Sequence, residues 1–140
     1  MLATIVRTTA AAALVMSLTA VTVKAHEITV ESLPPVVVNT VPQSGDTNVD
    51  PKLSEIKVTF SKDMLDQAWS WVQVSKDSFP QAVGQPRYLE DKRTCVMKVH
   101  LKPNTTYAVW LNSRHFHNFK DTGGRPAVPY LLVFKTGNRK

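Results

Sequence analysis

The stretch that decides the fold runs from Leu101 to Thr136 and reads LKPNTTYAVWLNSRHFHNFKDTGGRPAVPYLLVFKT. Apolar side chains recur every second residue at Tyr107, Val109 and Leu111, which is the period of a strand with one buried face. The near-continuous apolar run from Tyr130 to Phe134 predicts a second strand, placed centrally in its sheet. Because Tyr107 follows a Leu-x-Pro turn, its ring can be buried at a sheet edge while its hydroxyl bonds back to the turn.

The two-residue period continues through the rest of the chain. Two more strands are predicted, with inward faces formed by Ile56, Val58 and Phe60 and by Cys95, Met97, Val99 and Leu101. Thr94, Lys98 and His100 are expected to face solvent. Weaker strands are predicted over 36–41, 70–74 and 87–89, and one or two helical turns over 61–69. Short strands separated by Pro, Gly, Asn and Asp turns predict an all-β, Ig-like antiparallel β-sandwich of about seven strands.

The first 25 residues have the pattern of a cleaved signal peptide. Arg7 is followed by an apolar run, and Val23-Lys24-Ala25 places short side chains at the two positions that a signal peptidase reads. The apolar run is too short to span a bilayer, which takes about 20 residues. We therefore predict a signal peptide over 1–25, an extended leader over 26–34, an Ig-like domain over 35–137 and a tail over 138–140. This organisation predicts a periplasmic or secreted protein.

Charge and cysteine content limit which partners the protein can bind and how its fold can be stabilised. The signal region holds two of the 17 lysines and arginines and none of the 11 acids, which leaves the mature chain with a net charge of +4. The basic residues are scattered and form no stripe that follows phosphates, so nucleic-acid binding is not expected. Cys95 is the only cysteine. An internal disulfide is therefore impossible, and stability must come from packing.

Four segments of the mature chain, two near its start and two near its end, resemble a known family. VVNTVPQSGDTNVDP over 37–51, with IKVTFSKDM over 56–64, is similar to the opening of bacterial Ig-like domains of the S-layer-associated type. LKPNTTY over 101–107 and KDTGGRP over 120–126 are similar to the closing strands and loop of that family. The resemblance implies the sandwich fold and is nearly silent about function, because such modules serve as spacers, adhesive units and appendages of enzymes.

The placement of histidines suggests a second, chemically distinct alternative. Cleavage after Ala25 would make His26 the N-terminal residue, whose amine and ring Nδ1 can chelate Cu(II), with His115 or His117 supplying a further nitrogen. The start of the mature chain resembles small periplasmic copper-resistance proteins, which are also Ig-like sandwiches. Their late loop carries a metal-binding histidine where this chain has Arg125. A guanidinium has no lone pair to donate, so the usual site of that family is broken.

The tryptophans also have two interpretations. Trp69 and Trp71 are two residues apart and would lie on one sheet face, where they could stack on a sugar or fill the core; we favour the core for at least one of them. Trp110 alternates with Val109 and Leu111, so it should lie on the opposite face from the core, near the Ser113–Pro126 loop.

No set of catalytic residues is apparent, and the sequence predicts a module without enzymatic activity. We expect a monomeric binding or structural module of the cell envelope, with no cofactor and no metal ligands, and an envelope protein or polysaccharide as partner. Recognition is assigned to the long loop from Ser113 to Val128, because long loops on rigid frameworks tend to hold function. The alternative is a periplasmic copper-binding protein that uses His26, His115 and His117.

Overall fold

The computed structural model describes residues 20–138, which form two antiparallel sheets packed as a sandwich. The eight strands are β1 (Val37–Val41), β2 (Glu55–Phe60), β3 (Trp71–Gln73), β4 (Gln81–Ala82), β5 (Arg87–Tyr88), β6 (Thr94–His100), β7 (Thr106–Leu111) and β8 (Tyr130–Lys135). One sheet has the order β1-β2-β6-β4, with β5 also paired to β6, and the other has the order β3-β7-β8. The predicted all-β sandwich is confirmed. The one strand beyond the seven predicted is β4, which has only two residues and no alternating pattern that could predict it.

The helical turns predicted over 61–69 are wrong. Ser61 begins a bend, and Met64 forms a bridge with Asp121 instead of continuing into a helix. The Met64 side chain is 3% exposed, so burial of one apolar residue outweighs the weak capping signal of Ser61. Within residues 20–138, no helix is long and apolar enough to cross a membrane. The predicted signal peptide falls largely on residues 1–19, which lie outside the described residues.

The core forms where the alternating faces of the two sheets meet. Ile56, Val58 and Phe60 of β2 are at most 1% exposed, as the period-two pattern predicts. Cys95, Met97 and Val99 of β6 are equally buried, and Leu101 just beyond the strand is half-buried. The prediction that Thr94 faces solvent is wrong. The Asp91 carboxylate accepts hydrogen bonds from the Thr94 backbone amide at 2.9 Å and from the Thr94 hydroxyl at 2.6 Å. The turn that contains Asp91 therefore covers Thr94.

The predicted tyrosine corner is confirmed. The Tyr107 hydroxyl accepts a hydrogen bond of 2.8 Å from the backbone amide of Lys102, in the turn that precedes β7. Its ring is 3% exposed and packs against Phe134 with the ring centroids 5.4 Å apart. The corner therefore joins the turn, β7 and β8 through one side chain.

Strand β8 lies at a sheet edge, so its predicted central position is wrong. The middle strand of its sheet is β7, and Leu131 of β8 is 38% exposed. The turn at 43–46 lies along the other side of β8: the Gly45 amide donates to the Val133 carbonyl, and the Ser44 hydroxyl accepts from the Val133 amide. Gly45 has φ 92°, a conformation that favours glycine. This turn protects part of the β8 edge from pairing with another chain.

Candidate functional site

The long connection between β7 and β8 divides into a core segment and an exposed tip. Phe119 is 0% exposed, and its ring lies 5.0 Å from that of Phe60 and 5.6 Å from that of Trp71, measured between centroids. The tip, Arg114 to Asn118, is exposed throughout, and a second exposed stretch over 122–126 follows the buried residues Phe119 and Asp121. Shortening the whole predicted recognition loop would therefore remove a core residue, so a test of its binding role must be confined to the tip.

Asn112 holds this connection in place. Its side-chain amide donates to the carbonyls of Phe119 and Ala127, at 2.9 and 3.0 Å, and its side-chain oxygen accepts from the Phe119 amide at 2.9 Å. The residue is fully buried and has φ 58°, which asparagine tolerates better than most residues. Sequence reasoning missed Asn112. An asparagine directly after an apolar strand was the available signal.

Lys62 and Asp121 clamp the same connection to the rest of the domain. Lys62 Nζ lies 2.8 Å from a carboxylate oxygen of Asp121, and it also donates to the carbonyls of Glu31 and Leu33 at 3.0 and 2.9 Å. Burial alone would raise the pKa of Asp121, but hydrogen bonds and the charge of Lys62 outweigh it, so that pKa is lowered. The segment predicted as an extended leader contains a turn over 30–32 and is tied to the sandwich through these carbonyls.

Arg125 completes this clamp. Its backbone amide donates to the Asp121 carboxylate at 2.8 Å, and its guanidinium donates to the Glu31 carbonyl. The residue that stands where copper-resistance proteins carry a histidine therefore makes structural contacts here.

The histidines of the copper alternative are all exposed. His26 lies in the N-terminal segment, and His115 and His117 lie in the tip of the long connection. Within the described part of the chain, no group of three or more His, Cys, Asp or Glu side chains is placed to hold a metal ion. Trp110 lies beside Ser113, Arg114 and His115, in the position predicted for it outside the core.

Cys95 belongs to the core, and the half-buried Tyr88 of β5 lies opposite it. The Cys95 side chain is 0% exposed, and burial raises the pKa of its thiol to about 12, an effect partly countered by the Trp71 indole. Burial also raises the pKa of Tyr88, whose hydroxyl donates to the Ala68 carbonyl at 3.0 Å. A thiol with so high a pKa is protonated at neutral pH, so Cys95 is unsuited to nucleophilic chemistry.

Trp69 and Trp71 are both half-buried, and both pack against the core. Trp71 packs against both parts of the core, which confirms that one of the pair fills the core. Trp69 lines a surface groove of about 560 Å³ together with Trp71, Pro86 and Phe116. A second groove of about 590 Å³ shares Trp69 and Pro86 with the first and extends to Tyr88.

We call these two connected grooves the aromatic trough. It lies beside β3, the outer strand of the three-stranded sheet, and β5, which flanks β6 in the other sheet. Its exposed polar side chains are Asp66, Gln67, Gln73, Gln85, Arg87 and Asn118. Sequence reasoning weighed Trp69 as a sugar platform but missed Phe116 and Pro86. The exposed Phe116 in a polar loop tip was a usable signal, whereas the position of Pro86 depends on the tertiary fold.

Comparisons with known proteins give one family match and two similar structures. The sequence model of a family described as bacterial Ig-like domain matches residues 31–136. No curated protein matches the chain. The chain is similar to the crystal structure of the S-layer protein rSbsC(31-844) and to a structure of domains 1–6 of SbsC, with TM-scores of 0.47 and 0.48. Each of the two is 19% identical in sequence to this chain, and each alignment covers 76% of this chain. This chain spans 14% of the length of each.

Proposed function

This chain belongs to the bacterial Ig-like domain family, and we propose that it is an exported, non-catalytic binding module of the cell envelope. We place its binding surface at the aromatic trough. The observation that carries the proposal is the combination of a concave surface, aromatic rings and several polar side chains on a rigid sandwich. Ligand sites in proteins typically combine apolar walls with a few well-placed polar groups.

The absence of catalysis is proposed because three side chains that could take part in catalysis, those of Asp121, Asp63 and Cys95, already have structural roles. Asp121 is paired with Lys62, and Asp63 is paired with Arg93 at 2.9 Å. The Cys95 thiol is buried and protonated. None of these groups is free to act as a nucleophile or base in the trough.

Export is proposed from the sequence pattern of residues 1–25. Mass spectrometry of the protein recovered from a bacterial expression host should give a mature chain that begins at His26. Recovery of the uncleaved chain in the cytoplasm would contradict this part of the proposal.

Binding is tested by cosedimentation of the mature protein with an isolated envelope fraction of the bacterial host. Phe116→Ala and Trp69→Ala should reduce the sedimented fraction, because both side chains line the trough. Trp110→Ala is the matched control, because Trp110 lines a separate surface groove with Ser113, Arg114, His115 and Pro129. Equal sedimentation of folded Phe116→Ala and the native protein would show that the trough is not the binding surface.

A further inference from the structure

We infer that the aromatic trough binds a linear, neutral saccharide chain, whose sugar rings stack on Trp69 and Phe116. This inference rests on the proposed function, because it names the ligand of the same surface. The two grooves share Trp69 and Pro86, so they adjoin each other. Two adjoining grooves of about 560 and 590 Å³ offer room for several linked sugar units.

Phe116 is the first reason to favour a sugar. Its side chain is 58% exposed, so the ring is accessible to a ligand. The tip is nevertheless ordered by local hydrogen bonds: the Ser113 amide donates to the Phe116 carbonyl at 2.6 Å, and the Phe116 amide donates to the Ser113 hydroxyl at 3.2 Å. A ring held in place before binding costs little entropy when it stacks on the apolar face of a sugar.

The polar side chains of the trough are the second reason. Gln67, Gln73, Gln85 and Asn118 are side-chain amides, and each offers both donors and an acceptor. A sugar hydroxyl also donates and accepts, so amides match it without requiring charge on the ligand. The surface is rich in groups that complement hydroxyls.

The balance of charge argues for a neutral ligand. Asp66 and Arg87 are the only two charged residues that line the trough within the described chain, and their charges are opposite. Arg87 is also paired with Glu55, with Nη2 3.1 Å from a carboxylate oxygen. No free cation is therefore left to attract a phosphate or a polyanionic chain.

An extended peptide is the other ligand class that the location suggests, since β3 is an outer strand. β3 has only three residues, which limits the number of backbone hydrogen bonds that an added strand can form. The opposite side of the trough carries Pro86, which has no backbone N–H to donate. The side chains, and not the backbone, are the main recognition groups here, and this favours the sugar.

The experiment is calorimetric titration of the full mature protein with cellohexaose, chitohexaose and hexagalacturonate, and with a proline-rich decapeptide. At least one of the two neutral β-linked hexasaccharides should bind, and acidic hexagalacturonate should bind more weakly. Phe116→Ala should weaken that binding about tenfold, which corresponds to about 1.4 kcal/mol. Gln85→Ala should weaken it less, and Trp110→Ala should leave it unchanged.

Each outcome decides between the sugar and its alternatives. Phe116→Ala is used because the exposed ring can be removed without disturbing the core, whereas Trp69→Ala removes a side chain that packs against it. Failure of both neutral hexasaccharides to bind, or equal binding by Phe116→Ala, overturns the sugar assignment. Binding of the decapeptide that is lost in Phe116→Ala overturns the sugar and keeps the trough as the binding surface. Unchanged envelope sedimentation by Phe116→Ala overturns the proposed function itself.

Discussion

Cys95 illustrates how strand alternation fixes the environment of one reactive side chain. It lies opposite Val58 of β2 and Tyr88 of β5, and its side chain is 0% exposed. Burial raises the pKa of the thiol to about 12, so thiolate is scarce at neutral pH. We expect Ellman's reagent to leave the native thiol unmodified and to label it once denaturant unfolds the protein.

Substitutions at Cys95 should change the free energy of unfolding, because its side chain is buried. Cys95→Ser places a hydroxyl in the core and should lower the free energy of unfolding by about 1–3 kcal/mol. Cys95→Ala should be milder, and urea denaturation measures both. Rapid labelling of the native thiol would contradict the observed register and would require β6 to turn Lys98 inward.

The copper alternative is tested at His115 and His117. An N-terminal His26 supplies two nitrogens, and a tight Cu(II) site needs at least one more ligand. Because both loop histidines are exposed and no three-ligand group forms within residues 20–138, we expect the double change His115→Ala and His117→Ala to leave Cu(II) affinity unchanged. Calorimetric titration of the mature protein measures this affinity. A loss of Cu(II) affinity in the double variant would support the copper alternative, in which a loop histidine binds the metal together with His26.

Some residue roles followed from the sequence and others did not. The burial of Cys95 and the hydroxyl bond of Tyr107 depend on neighbours within a strand or turn, which local patterns describe. The partners of Lys62 depend on distant parts of the chain. Its carbonyl acceptors, Glu31 and Leu33, are 31 and 29 residues away. No local pattern predicts such contacts, so Lys62 was not singled out.

At the scale of elements, the sequence predicted every described strand except β4, and it misplaced β8 within its sheet. The run at β8 is almost wholly apolar, which suggests a strand covered on both sides, yet its sheet has only three strands and β7 occupies the middle. The turn at 43–46 covers part of the outer hydrogen-bonding edge of β8, where another strand would otherwise pair. A sequence cannot distinguish an edge covered by a turn from one covered by another strand.

The clamp between Lys62 and Asp121 gives a testable contribution to stability. The side chain of Asp121 is 3% exposed, so Lys62→Met would leave a buried carboxylate without its cation. We expect this change to lower the free energy of unfolding at neutral pH by about 3 kcal/mol. The surface pair of Lys57 and Glu55, at 3.5 Å, provides the matched control, and Lys57→Met should change stability by less than about 1 kcal/mol.

The pH dependence of this effect has a definite sign. Because the pKa of Asp121 in the folded protein is below its ordinary value of 3.8, its contribution is full above that value and is lost as pH falls through the lowered pKa. The gap in unfolding free energy between the native protein and Lys62→Met should therefore shrink in acid. Urea denaturation across this range measures the gap, and a constant gap would show that Asp121 is not its source.

At the scale of the whole molecule, the fold was predictable and the trough was not. The sandwich follows from periods and turns that are spread over the chain. The trough instead assembles residues 66–73, 85–88 and 116–118, which come from both sheets and the tip of the long connection. Such a surface exists only after the sheets have packed together. The sequence pointed to two of its aromatic residues, Trp69 and Trp71, and gave no indication of what would lie beside them.

Net charge separates binding at the trough from general adhesion. A mature chain beginning at His26 carries a net charge of +4, and such a chain is weakly attracted to anionic polymers of the envelope. Among residues 20–138, the trough itself holds the opposite charges Asp66 and Arg87 and no free cation. Salt screens exposed charges over a length that falls from about 30 Å at 0.01 M to about 3 Å at 1 M.

Across that salt range, we expect the dissociation constant of the neutral hexasaccharide that binds to change by less than about twofold, because stacking and neutral hydrogen bonds carry the interaction. The fraction that cosediments with anionic envelope polymers should decline as salt rises over the same range. The fraction that remains at high salt should be the one bound through the trough. Titrations of the native protein and Phe116→Ala at low and high salt separate the two contributions. A steep loss of hexasaccharide affinity with salt would mean that Asp66 or Arg87, and not the aromatic rings, dominates recognition.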